Sequence, residues 1–215
     1  QHGDELAQAG IRRLTVKAPA DLPVLIMAYK VPVIRDVDQD VDPYALEMLS
    51  VVLSGHEAAR FSRHLVREQR LAVDVEASYD STTRGPGIFY LSGSPSDGKT
   101  RADLEAGLRA EIVQVQQQGV AADELTRAKA QLIAGQIYKL DSMFAQAMEI
   151  GQLESVGIPY HLNRLILEKR QAVTAGQIQA VARKYFRDEQ LTVAERDPQP
   201  LPQAPRARSP FTPRH

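Results

Sequence analysis

The stretch "RFSRHLVREQRLAVDVEASYDS", residues 60–81, changes its hydrophobic period halfway along. In its first part Phe61, Leu65 and Val66 recur at helical spacing, which predicts a helix over roughly 58–70 with those side chains inward. From Leu71 the period drops to two. Leu71, Val73, Val75 and Ala77 alternate with Ala72, Asp74, Glu76 and Ser78. That pattern predicts a strand over 71–81 with one wet face.

Working outward, "GIFYLSGSPS" (87–96) supplies an antiparallel partner for that strand. Upstream, "RRLTVKAP" (12–19) and "PVLIMAYKVP" (23–32) read as two strands around the turn "ADLP". The second is continuously apolar and bracketed by prolines, as a central strand would be. An acidic loop, "VIRDVDQDVD", follows. Asp42 is then placed to cap a helix that has Pro43 at its first position and ends near Gly55.

The second half reads differently. "KTRADLEAGLRAEIVQVQQQG" and "AADELTRAKAQLIAGQIYKLDSMFAQAMEIGQLESVG" are long helical stretches, the first capped by Thr100 or Ser96. "PYHLNRLILEKRQAV" and "TAGQIQAVARKYF" are shorter helices, the last with Thr174 as its cap. "LTVAERD" (191–197) closes the fold as a strand. Two groups of strands with helices between them predict an α+β sandwich, one mixed or antiparallel sheet with a layer of helices on one face. We therefore expect a linker over 1–11, one domain over 12–198, and a disordered Pro/Arg-rich tail over 199–215.

The 215 residues are 43% hydrophobic with a net charge of -1, so nothing in the balance calls for nucleic acid or an anionic membrane. There is no cysteine, which removes disulfides, thiol catalysis and thiolate metal sites. No run approaches the ~18 apolar residues of a membrane span. The chain opens without Met or a visible signal peptide, so it is expected to be a processed product or a piece of something longer.

"SGHEAARFSRH" (54–64) invites a zinc reading that its spacing defeats. In H-E-x-x-H the two His lie one turn apart, whereas His56 and His64 lie two turns apart, roughly 12 Å along a helix. Arg60 stands between them and would repel a cation. The remaining histidines, His2, His161 and His215, have no partner at helical spacing either, so no metal ligand or catalytic residue is assigned. Acidic pairs Asp103–Glu105 and Asp123–Glu124 fall at helix starts and read as capping groups. Gly93 to Thr100, "GSPSDGKT", formally fits G-x-x-x-x-G-K-[ST]. Yet the preceding strand reads as a hairpin partner and no Walker-type Asp follows, so a nucleotide-binding module is a remote alternative.

Four segments together resemble the C-terminal, non-metal domain of pitrilysin–insulinase peptidases, the inverted H-x-x-E-H zinc enzymes. They are the strand pair ending "AYKVP", then "RFSRHLVREQRLAVDVEASYDS", "GIFYLSGSPSDGKT" and "GVAADELTRAKAQLIAGQIYKLDSMFAQAMEIGQLESVG", within residues 12–198. The second corresponds to an approximate S-R-L-x-x-x-L-R-E-x-x-G-L-A-Y-x-V. The resemblance implies two homologous α/β domains closing around a peptide. The N-terminal one would hold zinc through H-x-x-E-H and a downstream Glu, so the zinc is expected in that partner domain or subunit and no cofactor in this chain, which has no H-x-x-E-H. The C-terminal domain would complete the substrate cavity with an Arg and a Tyr. Arg67 matches the Arg in "VRE". The glycine before Leu71 is absent and Val73 takes the aromatic position, leaving Tyr79, on the same predicted face, as a candidate substitute or else a strand-packing tyrosine.

This chain is thus expected to be the inactive, substrate-cavity half of a bacterial zinc metalloendopeptidase. Its location is expected to be periplasmic, with cytoplasmic the alternative, and once isolated it is expected to self-associate. A structural, non-proteolytic paralogue is the rival from another class.

Overall fold

A computed structural model describes residues 8–200 of the chain; the first seven residues of the predicted linker, residues 201–215 of the predicted tail, and with them His2 and His215, lie outside the described residues. Five strands form one mixed sheet in the order β1-β5-β2-β4-β3. They are β1 (Arg12–Pro19), β2 (Val24–Val31), β3 (Ala72–Tyr79), β4 (Gly87–Pro95) and β5 (Leu191–Gln199). The apolar β2 does lie centrally, antiparallel to β4 on one side and β5 on the other. β1 and β2 flank a turn without pairing, because β5 enters between them and runs parallel to β1. That pairing carries β5 to Gln199, two residues beyond its predicted end.

Side chains of β2 explain the layering. Leu25, Met27, Tyr29 and Val31 are buried towards the helices, while Val24, Ile26, Ala28 and Lys30 are only half covered on the other face. The continuous apolar run therefore supplies one packed face and one open apolar face. The predicted sandwich is the one observed. On the packed face lie α1 (Asp42–Ser54), α2 (Arg101–Gln118), α3 (Ala122–Leu140), α4 (Met143–Ser155), α5 (Asn163–Ala172) and α6 (Ala175–Tyr185). Phe89 anchors the core, its ring 4.9 Å from Phe186 and 5.9 Å from Tyr79, and Phe186 in turn lies 4.7 Å from Tyr29.

Helix starts follow the predicted chemistry except at α1. Thr100 and Asp103 cap α2 reciprocally, as Thr174 and Gln177 cap α6. Asp42, expected to cap α1, instead lies in its first turn and accepts from Lys184 Nζ and Tyr185 Oη of α6, both at 2.6 Å. A charged amine and a phenol outcompete backbone amides for that carboxylate. The long helical stretch over 121–157 is broken at Asp141–Ser142, where Ser142 Oγ accepts from the Ala145 amide and starts α4. A serine cap inside an apolar pattern was a readable stop that helical periodicity concealed.

The opening segment departs most from expectation. Its helix is a π-helix over Phe61–Glu68, shown by the five-residue step from the Gln69 amide to the His64 carbonyl, 2.9 Å. Phe61 and Leu65 are buried as predicted. At its exit Arg70 has φ of +50°, left-handed backbone at the place where the resemblance motif has glycine. An L-residue other than glycine is strained there by about 1 kcal/mol. Arg70→Gly is therefore expected to stabilise the fold by about 0.5–1 kcal/mol in urea denaturation; a loss of stability would show that the Arg70 side chain contributes more than its strain costs.

A bulge between Ala72 and Asp74 then resets β3. Ala72, Ala77 and, in part, Tyr79 face the helices, while Val73 is 58% exposed. The strict alternation predicted from Leu71 is thereby corrected. Val73 and Tyr79 do not share a face, because the extra residue at the bulge turns Val73 outward.

Candidate functional site

Arg67 leaves the π-helix on its exposed side, next to the start of β3. Its guanidinium is positioned by backbone carbonyls: Nε donates to Ser62 O at 3.3 Å and an NH2 group donates to Glu57 O. With Glu57, Ser62, Val66, Val73, Asp74 and Val75 it lines a shallow depression of about 380 Å³. β3 is the last strand of the sheet. At Ala77 its outer edge is closed by Ser54 of α1, whose Oγ accepts from the Ala77 amide at 2.8 Å and donates to its carbonyl at 3.0 Å. Among the described residues no strand covers the Val73–Val75 end. The depression thus places a held, charged fork beside the Val73–Val75 end of the edge strand. This arrangement can grip a carbonyl or carboxylate and align extended backbone.

Tyr79 is elsewhere. Its Oη donates to Pro32 O at 2.5 Å and its ring stacks on Phe89. Burial pushes its phenol well above the ordinary tyrosine range. It borders a second, polar cavity of about 210 Å³ on the helix side of the sheet. There Arg170 makes two bonds to Glu47, 2.6 and 2.7 Å, and the Ser81 hydroxyl donates to Glu47 at 2.5 Å. Glu149 accepts from Gln136, Lys139 and Asn163. The structure therefore separates the two candidate residues into two cavities. Sequence reasoning missed Glu47, Glu149 and Arg170, whose meeting depends on packing between α1, α4 and α5 and leaves no local spacing to read.

The other sequence candidates take structural places. His64 Nδ1 lies 2.8 Å from Glu111 Oε1, and among the described residues no three His, Asp or Glu groups are arranged to hold a metal ion. Zinc thus finds no ligand set in the described residues. Glu105, expected as a helix-start group, bonds Arg13 at 2.8 Å and Arg109 at 2.9 Å, and the Arg13 guanidinium holds its carboxyl below the usual range. Gly93, Ser94 and Pro95 are ladder positions in β4, with Gly93 opposite both Leu25 and Val75. A phosphate loop needs free backbone N–H groups there, but Gly93 and Ser94 are held in the ladder and Pro95 has none to offer, so the 93–100 stretch is a strand and a short loop leading to the Thr100 cap.

No helix among the described residues is long and apolar enough to cross a membrane. Residues 4–132 match the family model described as the peptidase M16 inactive domain. No curated protein sequence matches the chain. Among solved structures, a protease from Helicobacter pylori superposes with a TM-score of 0.81 at 20% identity, over 90% of this chain and 46% of that one. An inactive peptidase domain from Bordetella parapertussis gives 0.73 at 17% identity, covering 91% of this chain and 99% of that one. The periplasmic protease PqqL from Escherichia coli gives 0.74 at 12% identity, covering 93% and 23%. The chain spans just under half the length of the Helicobacter protease it matches.

Proposed function

The chain belongs to the peptidase M16 family as an inactive domain of that family, and on that premise we propose that it is the substrate-cavity half of a bacterial zinc metalloendopeptidase. It would enclose and orient a peptide for a homologous zinc-bearing domain or subunit, which alone would carry the metal and its chemistry. The observation that carries this reading is the open sheet face, which ends at an edge strand that no further strand covers among the described residues. Val24, Ile26, Ile88, Tyr90 and Ala194 give the face an apolar centre over β5, β2 and β4, interrupted by Lys30, Ser92, Thr192 and Arg196, and Glu76 and Ser78 make it polar towards β3. A wall of both characters suits a peptide chain with mixed side chains. A purely structural paralogue would have this face filled and dry.

In this reading Arg67 holds a substrate carbonyl or carboxylate from beside the β3 edge, and Tyr79 acts only by fixing β3 to Pro32. A periplasmic setting is proposed with it, in line with the location of PqqL. The test combines the chain with its zinc-bearing half: peptide hydrolysis should require both, and equal turnover by the zinc half alone would end the proposal. Within the complete enzyme, Arg67→Lys should lower turnover ~10-fold or more, about 1.4 kcal/mol of transition-state stabilisation, because an ammonium cannot span two carbonyls and a substrate together. Folding stability should hardly change, since Arg67 is exposed. Unaltered turnover would remove Arg67 from the site.

A further inference from the structure

Glu111 on α2 is only 2% exposed, yet a single side chain holds its carboxylate. Its Oε1 lies 2.8 Å from Nδ1 of His64 on the π-helix, while its Oε2 is buried with no hydrogen bond among the described residues. The other imidazole nitrogen, Nε2, lies 2.7 Å from an NH2 group of Arg63. A guanidinium can only donate, so Nε2 accepts and Nδ1 carries the proton that goes to Glu111. Arg63, His64 and Glu111 thus form one directed chain.

Packing gives no reason for a carboxylate at this place. A buried charge is costly to desolvate, and an apolar side chain of similar size fills such a space with no loss of stability or with a gain. What Glu111 supplies is direction, since one short hydrogen bond fixes how the imidazole and the backbone carrying it are rotated. That backbone is the turn presenting Arg67. Ser62, whose carbonyl accepts from Arg67 Nε at 3.3 Å, stands just before Arg63 and His64. The His64 carbonyl accepts from the Gln69 amide at 2.9 Å and closes the wide turn from which Arg67 projects. Wide turns of this kind are rare and concentrate at functional sites.

We infer that His64 and Glu111 are positioning residues for Arg67. Their bond sets the rotation of the π-turn, and with it the direction in which the Arg67 guanidinium meets a substrate carbonyl or carboxylate. The inference rests on the substrate-holding reading of Arg67 given above. Neither His64 nor Glu111 lines the depression beside Arg67, so both act through it.

The test is peptide hydrolysis by the chain combined with its zinc-bearing half. His64→Ala should lower kcat on the order of 10-fold with little change in KM, because a misdirected guanidinium is lost to the transition state rather than to the bound peptide. His64→Asn should keep turnover within about twofold, since its amide nitrogen stands where Nδ1 stands and can donate to Glu111. His64→Gln, whose nitrogen reaches the Nε2 position instead, should fall with His64→Ala. In an Arg67→Ala background the His64→Ala loss should vanish, because the two residues act as one unit. Thermal melting of each variant separates loss of fold from loss of direction, and the Asn–Gln comparison serves even where His64→Ala melts below the assay temperature. Turnover unchanged by Arg67→Ala would end the reading of Arg67 and this inference with it. Turnover lowered by Arg67→Ala and lowered again by His64→Ala in that background, or equal turnover for His64→Asn and His64→Gln, would overturn the positioning role alone.

Discussion

Arg60→Ala is expected to destabilise the fold by about 3 kcal/mol, because it leaves a largely buried carboxylate without its counter-charge. The Arg60 side chain is 9% exposed and that of Glu124 14%. Nε and an NH2 group reach the two Glu124 oxygens at 2.8 and 2.7 Å, and the NH2 group also reaches Gly119 O at 3.0 Å. One guanidinium therefore ties the start of the π-helix to the end of α2 and the start of α3. The same carboxylate accepts from the Ala121 amide, so its charge matters to the α3 cap as well. Arg60 holds its carboxyl below the usual range against the opposing effect of burial. Urea denaturation gives the measurement. Arg60→Ala combined with Glu124→Ala should cost less than the two single losses added together, which a pair without coupling would not show. A single loss below about 1 kcal/mol would mean that water reaches Glu124 once the arginine is gone.

Gly93→Ala should cost a similar amount, about 3 kcal/mol, through overpacking rather than charge. A Cβ at this position would lie 2.6 Å from the Asp74 carbonyl oxygen on β3, and 3.4 Å from Leu104 Cδ2 and Val75 Cα. The nearest of these is backbone and cannot rotate away. β3 could yield only by opening the Val75–Gly93 pairing next to its bulge. The expected readout is a melting temperature lower by roughly 6–12 °C, in proportion to the size of the chain. An unchanged melting point would show that the edge strand moves freely. The same substitution separates two explanations of the 93–100 glycine, since nucleotide should shift the melting of neither variant nor parent if Gly93 serves close strand approach alone.

Much of this architecture is legible in local pattern. The β2 run, the 87–96 partner strand, and the Thr100 and Thr174 caps all follow from residues within a few positions of one another. The mixed sheet with one helical layer follows from their order. What the sequence hides is set by tertiary competition. Asp42 has the right type and place for a cap, but α6 brings Lys184 and Tyr185 within 2.6 Å. The bulge at Val73 adds a residue without changing composition, so alternation through Leu71 and Val73 extrapolates to the wrong face. The candidate site divides the same way. Arg67 was singled out by the likeness of its "VRE" to the family motif, and its exposure beside the start of β3 is a local fact. The Glu47–Arg170 pair joins positions 123 residues apart and has no signature in either neighbourhood.

The position of β5 has a consequence for how the polypeptide reaches this state. Arg12 pairs with Thr192, 180 residues later, and β2 takes β5 as its other neighbour. A nascent chain emerging from the ribosome can form the β2–β4–β3 meander with α1 early, but β1 has no strand to join until the last strand arrives. Until then one edge of β2 stays unsatisfied and open to other chains. Closure of so long a loop is entropically late, which slows the final step. Emergence of β5, rather than synthesis of the first half of the domain, is thus the step at which the sheet is sealed. Conditions that delay β5 should show themselves as aggregation and not as a stable partial fold.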